Sequence, residues 1–116
     1  MFLDTRTKIV PLHEIEERLQ NRAASRVFGH FDPLLAEHVR RLAHAKRPGR
    51  LLVVEVTNPG QPLLAQRARA ELVAALSMVD YVVLGVGESS DAAPMDADIT
   101  ENFIEHVLER HRQETR

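Results

Sequence analysis

Apolar residues recur along this chain in two alternating rhythms, one helical and one strand-like. Leu12, Ile15 and Leu19 fall on one stripe behind Pro11, which suits a first helical position, and acids fill the early turns, so 11–19 predicts an amphipathic helix. Ser25–Gly29 predicts a short strand ending at a glycine. Asp32 and Pro33 then read as an N-cap with proline at the first helical position, opening a helix from Leu34 to about Lys46. Its apolar side would carry Leu35, His38 or Val39, Leu42 and Ala45, and Arg47-Pro48-Gly49 stops it.

Leu51–Val56 is nearly continuous in apolar character, as in a parallel strand covered on both faces. A turn at 57–60 leads to a helix expected from Leu63 to about Met78, with Leu64, Ala68, Leu72, Ala75, Leu76 and Val79 at helical spacing. Asp80–Leu84 predicts a third buried strand. Segment 88–98 is rich in Ser, Asp, Ala and Pro and reads as a loop. A last helix, Ile99 to about His111, would present Ile99, Phe103, Ile104, Val107 and Leu108 on one face, with Arg110 and Arg112 near its negative end. Strands alternating with helices make βαβ units. The expectation is one α/β domain over 1–116, a truncated Rossmann-like three-layer fold with about three parallel strands in order 3-2-1. Residues 1–24 form the lead-in helix region, 85–98 a loop and 99–112 the C-terminal helix.

Composition narrows the chemistry. There are 116 residues with 15 basic and 17 acidic side chains, a net charge of −2, which argues against a dedicated nucleic-acid binder. The charge is uneven, +4 over 1–50 and −6 over 51–116, so a phosphate ligand would prefer the first half. With no cysteine, disulfides, thiol nucleophiles and Cys-ligated metals are excluded. No apolar run approaches the roughly 20 residues of a membrane span, and the first residues lack a secretory h-region, so the expected location is the cytoplasm.

Ligands on such sheets bind at the carboxyl ends of the strands, where the loops 29–33, 57–62 and 85–91 would converge. The segment Gly29-His30-Phe31-Asp32-Pro33-Leu34-Leu35-Ala36-Glu37-His38 resembles the signature loop of the cytidylyltransferase-like nucleotidyltransferases, G-x-F-D-x-x-H-x-G-H. Gly29, Phe31, Asp32 and His38 match four of its six defining positions. Within that superfamily the chain is most similar to the adenylyltransferase domain of ADP-heptose synthase, over roughly residues 8–84. The resemblance extends to Lys8–Glu14, to Gln61-Pro62 through Gln66-Arg67, and to Val79–Val83.

The resemblance implies transfer of a nucleotidyl group to a sugar phosphate or similar phosphate ester with release of pyrophosphate. The motif histidines would contact phosphates and stabilise charge at the attacked phosphorus, and the motif glycine would let the nucleotide lie against a helix start. It makes Gly29, His30, Phe31, Asp32, His38 and Arg67 the candidate nucleotide-binding residues and His38 and His30 the candidate catalytic ones, with Mg and ATP or CTP as the ligands of a working cleft. Three departures stand against turnover. Leu35 replaces the first histidine and can neither donate a hydrogen bond nor carry charge, a loss that commonly costs about 10² to 10³ in rate. Glu37 replaces the glycine and adds a carboxylate. The family pattern also continues with further strands and a Ser/Thr-rich turn past the point where this sequence ends, and Ser89-Ser90 does not substitute for that turn.

Each candidate also has a plainer role. His38 falls on the apolar side of a helix, as a packed core histidine would, and Asp32 serves as an N-cap whatever else it does. His30 could turn into the vacated phosphate site. Arg67 could be a solvated helix arginine, as Arg26, Arg40 and Arg41 are expected to be, and His106 and His111 read as exposed. Gly85-Val86-Gly87 lacks the third glycine of a dinucleotide fingerprint. His30, Asp32 and His38 have metal-ligand chemistry but no spacing that specifies a metal, so none is assigned. Three readings follow: a degenerate nucleotidyltransferase kept as a weak nucleotide binder, regulator or assembly partner; a working nucleotidylyltransferase; or an interaction module with an empty cleft. The 25–29 strand would be an open edge, inviting a homodimer, another protein partner or a covering by 88–98.

Overall fold

The computed structural model describes residues 4–86 and the backbone of Ala93–Pro94. The expected helix 99–111, with His106 and His111, and most of the 88–98 loop, with Ser89-Ser90, lie outside the described residues. Within them the chain is an α/β unit whose strands all pair in parallel. Three of the strands are those expected: β2 (Ala24–Gly29), β3 (Leu51–Val56) and β4 (Tyr81–Leu84). They lie in the spatial order β4-β3-β2, the 3-2-1 order of the sequence reading. Two more strands, each of two residues, flank them. β1 (Ile9–Val10) pairs with β4, and β5 (Ala93–Pro94) pairs with β2 at Val27 and Phe28. Two-residue strands carry too little alternation to be read from a pattern.

The side chains of β3 divide the core in two, because successive residues point to opposite faces. Leu52, Val54 and Val56 join Val27, Val82, Leu42, Ala70, Val73 and Ala74 in the larger cluster. That face is covered by α2 (Ala36–Ala45) and α3 (Gln66–Ala74). Val53 joins Val10, Ile15, Leu19 and Val83 on the other face, beneath α1 (Ile15–Leu19). The expected lead-in helix is therefore split: Leu12–Glu14 makes a 3-10 turn, Leu12 is exposed, and only Ile15 and Leu19 of the predicted stripe reach the core.

Two further expectations are corrected. α2 begins at Ala36 with Leu35 in the N-cap position. Asp32 does not cap it, because its carboxylate is taken by another segment, described below. α3 is shorter than its pattern suggested and turns a different face inward, while Leu76 and Val79 of the expected stripe, beyond its end, do join the core. Leu64 and Leu72 are exposed at 36% and 48%, whereas Arg69, Ala70, Val73 and Ala74 are buried. The positions 66, 69/70 and 73/74 have helical spacing as regular as the leucine stripe. The face turned to the sheet carries Ala70, Val73 and Ala74 together with the buried Arg69.

This assignment predicts unequal costs for two leucines. Leu42→Ala, which empties a fully buried site, should lower stability by about 2–5 kcal/mol. Leu72→Ala should change it by no more than about 0.5 kcal/mol. Urea unfolding of both variants checks this, and comparable losses would mean that Leu72 faces the core after all.

Candidate functional site

Three chain segments meet at the carboxyl ends of the strands: 29–32 after β2, 57–58 after β3, and Gly85 after β4. The ladder carries them there, since Thr57 N–H donates to Gly29 O at 2.9 Å and Gly85 N–H donates to Val56 O at 2.9 Å. What fixes them to one another is the first turn of α3. Gln66 Nε2 donates to Val56 O (2.9 Å) and to Gly85 O (2.8 Å), clipping the ends of β3 and β4 together.

Arg69, one turn further on, is fully buried. Its Nη1 donates to His30 O (2.8 Å) and Thr57 O (2.7 Å), its Nε to Leu64 O (3.0 Å), and its Nη2 to Asn58 Oδ1. Four acceptors from three segments thus share one planar cation, and all four are neutral oxygens. Burying a charge is costly unless it is fully hydrogen-bonded. Here charge-assisted bonds from the guanidinium fork supply that compensation. Neither Arg69 nor Thr57 and Asn58 stood out in the sequence. The polar pair Gln66 and Arg69, i and i+3 on the alanine face of a helix between two apolar strands, was the available signal, and the leucine stripe obscured it.

The motif residues take mainly architectural positions. Asp32 is 5% exposed, and its carboxylate accepts from Leu63 N–H (2.6 Å) and Leu64 N–H (2.8 Å), tying the first loop to the segment that leads into α3. Phe31 adopts a left-handed backbone, φ 49°, and its side chain is wholly buried. That conformation costs a non-glycine residue about 1–2 kcal/mol, which the burial of the ring offsets. Its ring meets the His38 imidazole edge to face, with centroids 5.4 Å apart.

His38 is itself fully buried, and its Nδ1 accepts from Leu35 N–H at 2.8 Å. A histidine at N3 thus supplies one half of a capping box, reaching back to the N-cap backbone as Glu or Gln usually does, while Leu35 has no side-chain acceptor for the other half. With Nδ1 an acceptor, a neutral ring carries its proton on Nε2. His30 sits half-buried at the mouth, its Nδ1 2.9 Å from Thr57 Oγ1. Glu37 is turned along its own helix toward Arg40 (2.8 Å) and Arg41 (3.6 Å), and the Arg40 hydrogen bond holds its carboxyl below the usual glutamate value. The structure therefore brings Gly29, His30, Phe31, Asp32 and His38 together. It does not add Arg67 to them: that side chain is exposed and faces Glu71 at 3.5 Å.

The chain can now be compared with known proteins. It is 37% identical over 84 residues to the bifunctional protein HldE of Syntrophotalea carbinolica, covering 63% of this chain and 17% of that one. It is 36% identical over 91 residues to HldE of Helicobacter pylori, covering 69% and 20%, and 42% identical over 65 residues to HldE of Magnetococcus marinus, covering 48% and 13%. This chain is a relative of the HldE proteins. The matches support the cytidylyltransferase-like relation carried by the Gly29–His38 segment. The chain spans at most about a fifth of the length of the relatives it matches. No protein-family model matches it. Among the described residues, no helix is long and apolar enough to cross a membrane, and no group of three or more His, Asp or Glu could hold a metal ion.

One acid lies at the far side of the site. Glu55 projects from the face of β3 opposite α2 and α3, and a Cβ on Gly85 would stand 2.5 Å from its Oε1, so a larger residue there would have to displace the Glu55 side chain. Partial burial raises the Glu55 pKa, opposed by the Arg26 charge. A raised folded-state pKa means that this group's contribution is fully present below the unfolded value and lost as pH rises through the folded one. Glu55→Gln should accordingly gain stability relative to the parent between pH 4 and pH 7. Thermal unfolding of both proteins across that range tests the sign, and a difference independent of pH would refute it.

Proposed function

We propose that this nucleotidyltransferase-like domain is a degenerate member of its superfamily, retained as a weak nucleotide binder with a regulatory or assembly role. The observation that carries the reading is Leu35 at the N-cap of α2, where the resemblance asks for a phosphate-contacting histidine. An apolar side chain leaves the helix start without the donor that would stabilise charge at phosphorus. His38, the motif's other histidine, has its Nδ1 engaged by the Leu35 backbone and its ring packed on Phe31, so both motif positions serve the helix end. Gly29 and the backbone at the start of α2 still suit a phosphate. Nucleotide contacts from Gly29 and His30 belong to this proposal, as does magnesium with ATP or CTP, while Phe31, Asp32 and His38 hold the frame and Arg67 faces Glu71.

A second reading, residual turnover with His38 and His30 as the catalytic pair, has one observation in its favour. Glu37 is engaged by Arg40 and Arg41, which relieves part of the repulsion its carboxylate would exert on phosphates. An assembly role would use the β2 edge, where Ala93–Pro94 pairs only with Val27 and Phe28, either in a homodimer or with another protein.

Calorimetric titration with ATP and with CTP, with and without magnesium, tests the proposal. Measurable binding with a Kd of about 10 to 100 μM, roughly −6.8 to −5.5 kcal/mol, without pyrophosphate release is the expected result. Leu35→His with Glu37→Gly should tighten it at least about tenfold, or about 1.4 kcal/mol. Pyrophosphate release by the parent would establish the second reading, and no binding by either protein would leave an interaction module with an empty cleft.

A further inference from the structure

At the opposite end of the sheet, beneath the amino ends of β2, β3 and β4, two concavities adjoin each other. One, of about 370 Å³, is lined by residues including Lys8, Arg18, Arg22, Asp80 and Tyr81. The other, of about 350 Å³, is lined by Arg22, Ala23, Lys46, Gly49, Arg50 and Leu51. Both volumes lie in the range of small-ligand sites, and Arg22 and Leu51 are common to the two.

Five cations and one carboxylate line them, and that carboxylate is already engaged. Asp80 Oδ2 accepts from Leu52 N–H and from Lys46 Nζ, each at 2.7 Å. Arg18 has Glu14 at 3.7 Å. The remaining three cations are held by neutral oxygens. Lys8 Nζ donates to Leu76 O (3.0 Å). Arg22 donates through Nε to Leu19 O (2.9 Å) and through Nη2 to Arg18 O (2.8 Å), at the carboxyl end of α1. Arg50 donates through Nη2 to Ala24 O (2.7 Å) and through Nε to Ser25 Oγ (3.3 Å). Each arginine is anchored by two donors, and among the described residues its Nη1 makes no hydrogen bond. A guanidinium fixed in this way loses little further rotamer freedom when an anion arrives.

From these anchored cations, which meet no carboxylate among the described residues, we infer that the amino end of the sheet is a second ligand site, built for a small anion with two or more phosphate groups seated across Arg22. A helix-length nucleic-acid contact would need a basic excess spread along an extended surface, whereas here the cations surround two small hollows in a chain of net charge −2. The site is at the far end of the strands from His30 and Thr57, so it stands or falls independently of the nucleotide cleft.

Titration of the 15N-labelled protein with inorganic tripolyphosphate, without magnesium and at constant ionic strength, tests this. Amide shifts are expected at 8, 22–24 and 46–51, saturating with one ligand per chain. Arg22→Gln and Arg50→Gln should each weaken binding about tenfold or more, by the loss of a charge-assisted contact. Lys8→Gln provides the same test should loss of the Arg22 contacts to α1 unfold the chain. Shifts confined to 29–32 and 57–58, unchanged affinity in folded Arg50→Gln and Lys8→Gln, or the same shifts with sodium chloride alone would each overturn the inference. So would tighter binding of a DNA duplex through these same residues.

Discussion

One buried guanidinium sets the geometry of the carboxyl end of the sheet. A parallel sheet delivers its strands to one edge, but the loops beyond that edge have no ladder to hold them, and their carbonyls need donors once water is excluded. Arg69 supplies those donors to His30, Thr57, Asn58 and Leu64 together, and Gln66 adds Val56 and Gly85. Two residues one helical turn apart thereby gather three loops. The Asp32 carboxylate closes the arrangement by holding the segment before α3 to the first loop.

This division of labour bears on function. In the superfamily pattern that the chain resembles, the residues at the start of α2 face phosphate. Here their described contacts are internal: His38 reaches back to Leu35 N–H, Phe31 packs on His38, and Asp32 binds backbone amides. The frame of such a site rests on Arg69 and Gln66 and not on Leu35. The proposed loss of turnover is compatible with persistence of the motif.

The alternation of apolar runs made the three long strands and their order legible, because a central parallel strand such as 51–56 is marked on both faces. The motif segment was legible as a resemblance, and in the fold Phe31 of that segment packs on His38. Polar residues acting inside the core were not. Arg69 reads as one more helix arginine beside Arg67, since a sequence gives the period of a helix but not which of two regular stripes faces inward. Asp32 before Pro33 has the chemistry of an N-cap, and only the approach of Leu63 and Leu64, some thirty residues away, shows where its carboxylate is used.

The central claim is that Arg69 holds the site loops while leaving the far end of the sheet to other contacts. Native-state hydrogen exchange of Arg69→Lys tests it most directly, because a lysine keeps the charge but cannot span four acceptors. Exchange at Thr57 is expected to be faster by about an order of magnitude or more through local opening, with Gly85, which Gln66 holds, less affected and Leu51 and Asp80 at the amino end unchanged. Equal acceleration at both ends, or none at either, would contradict it.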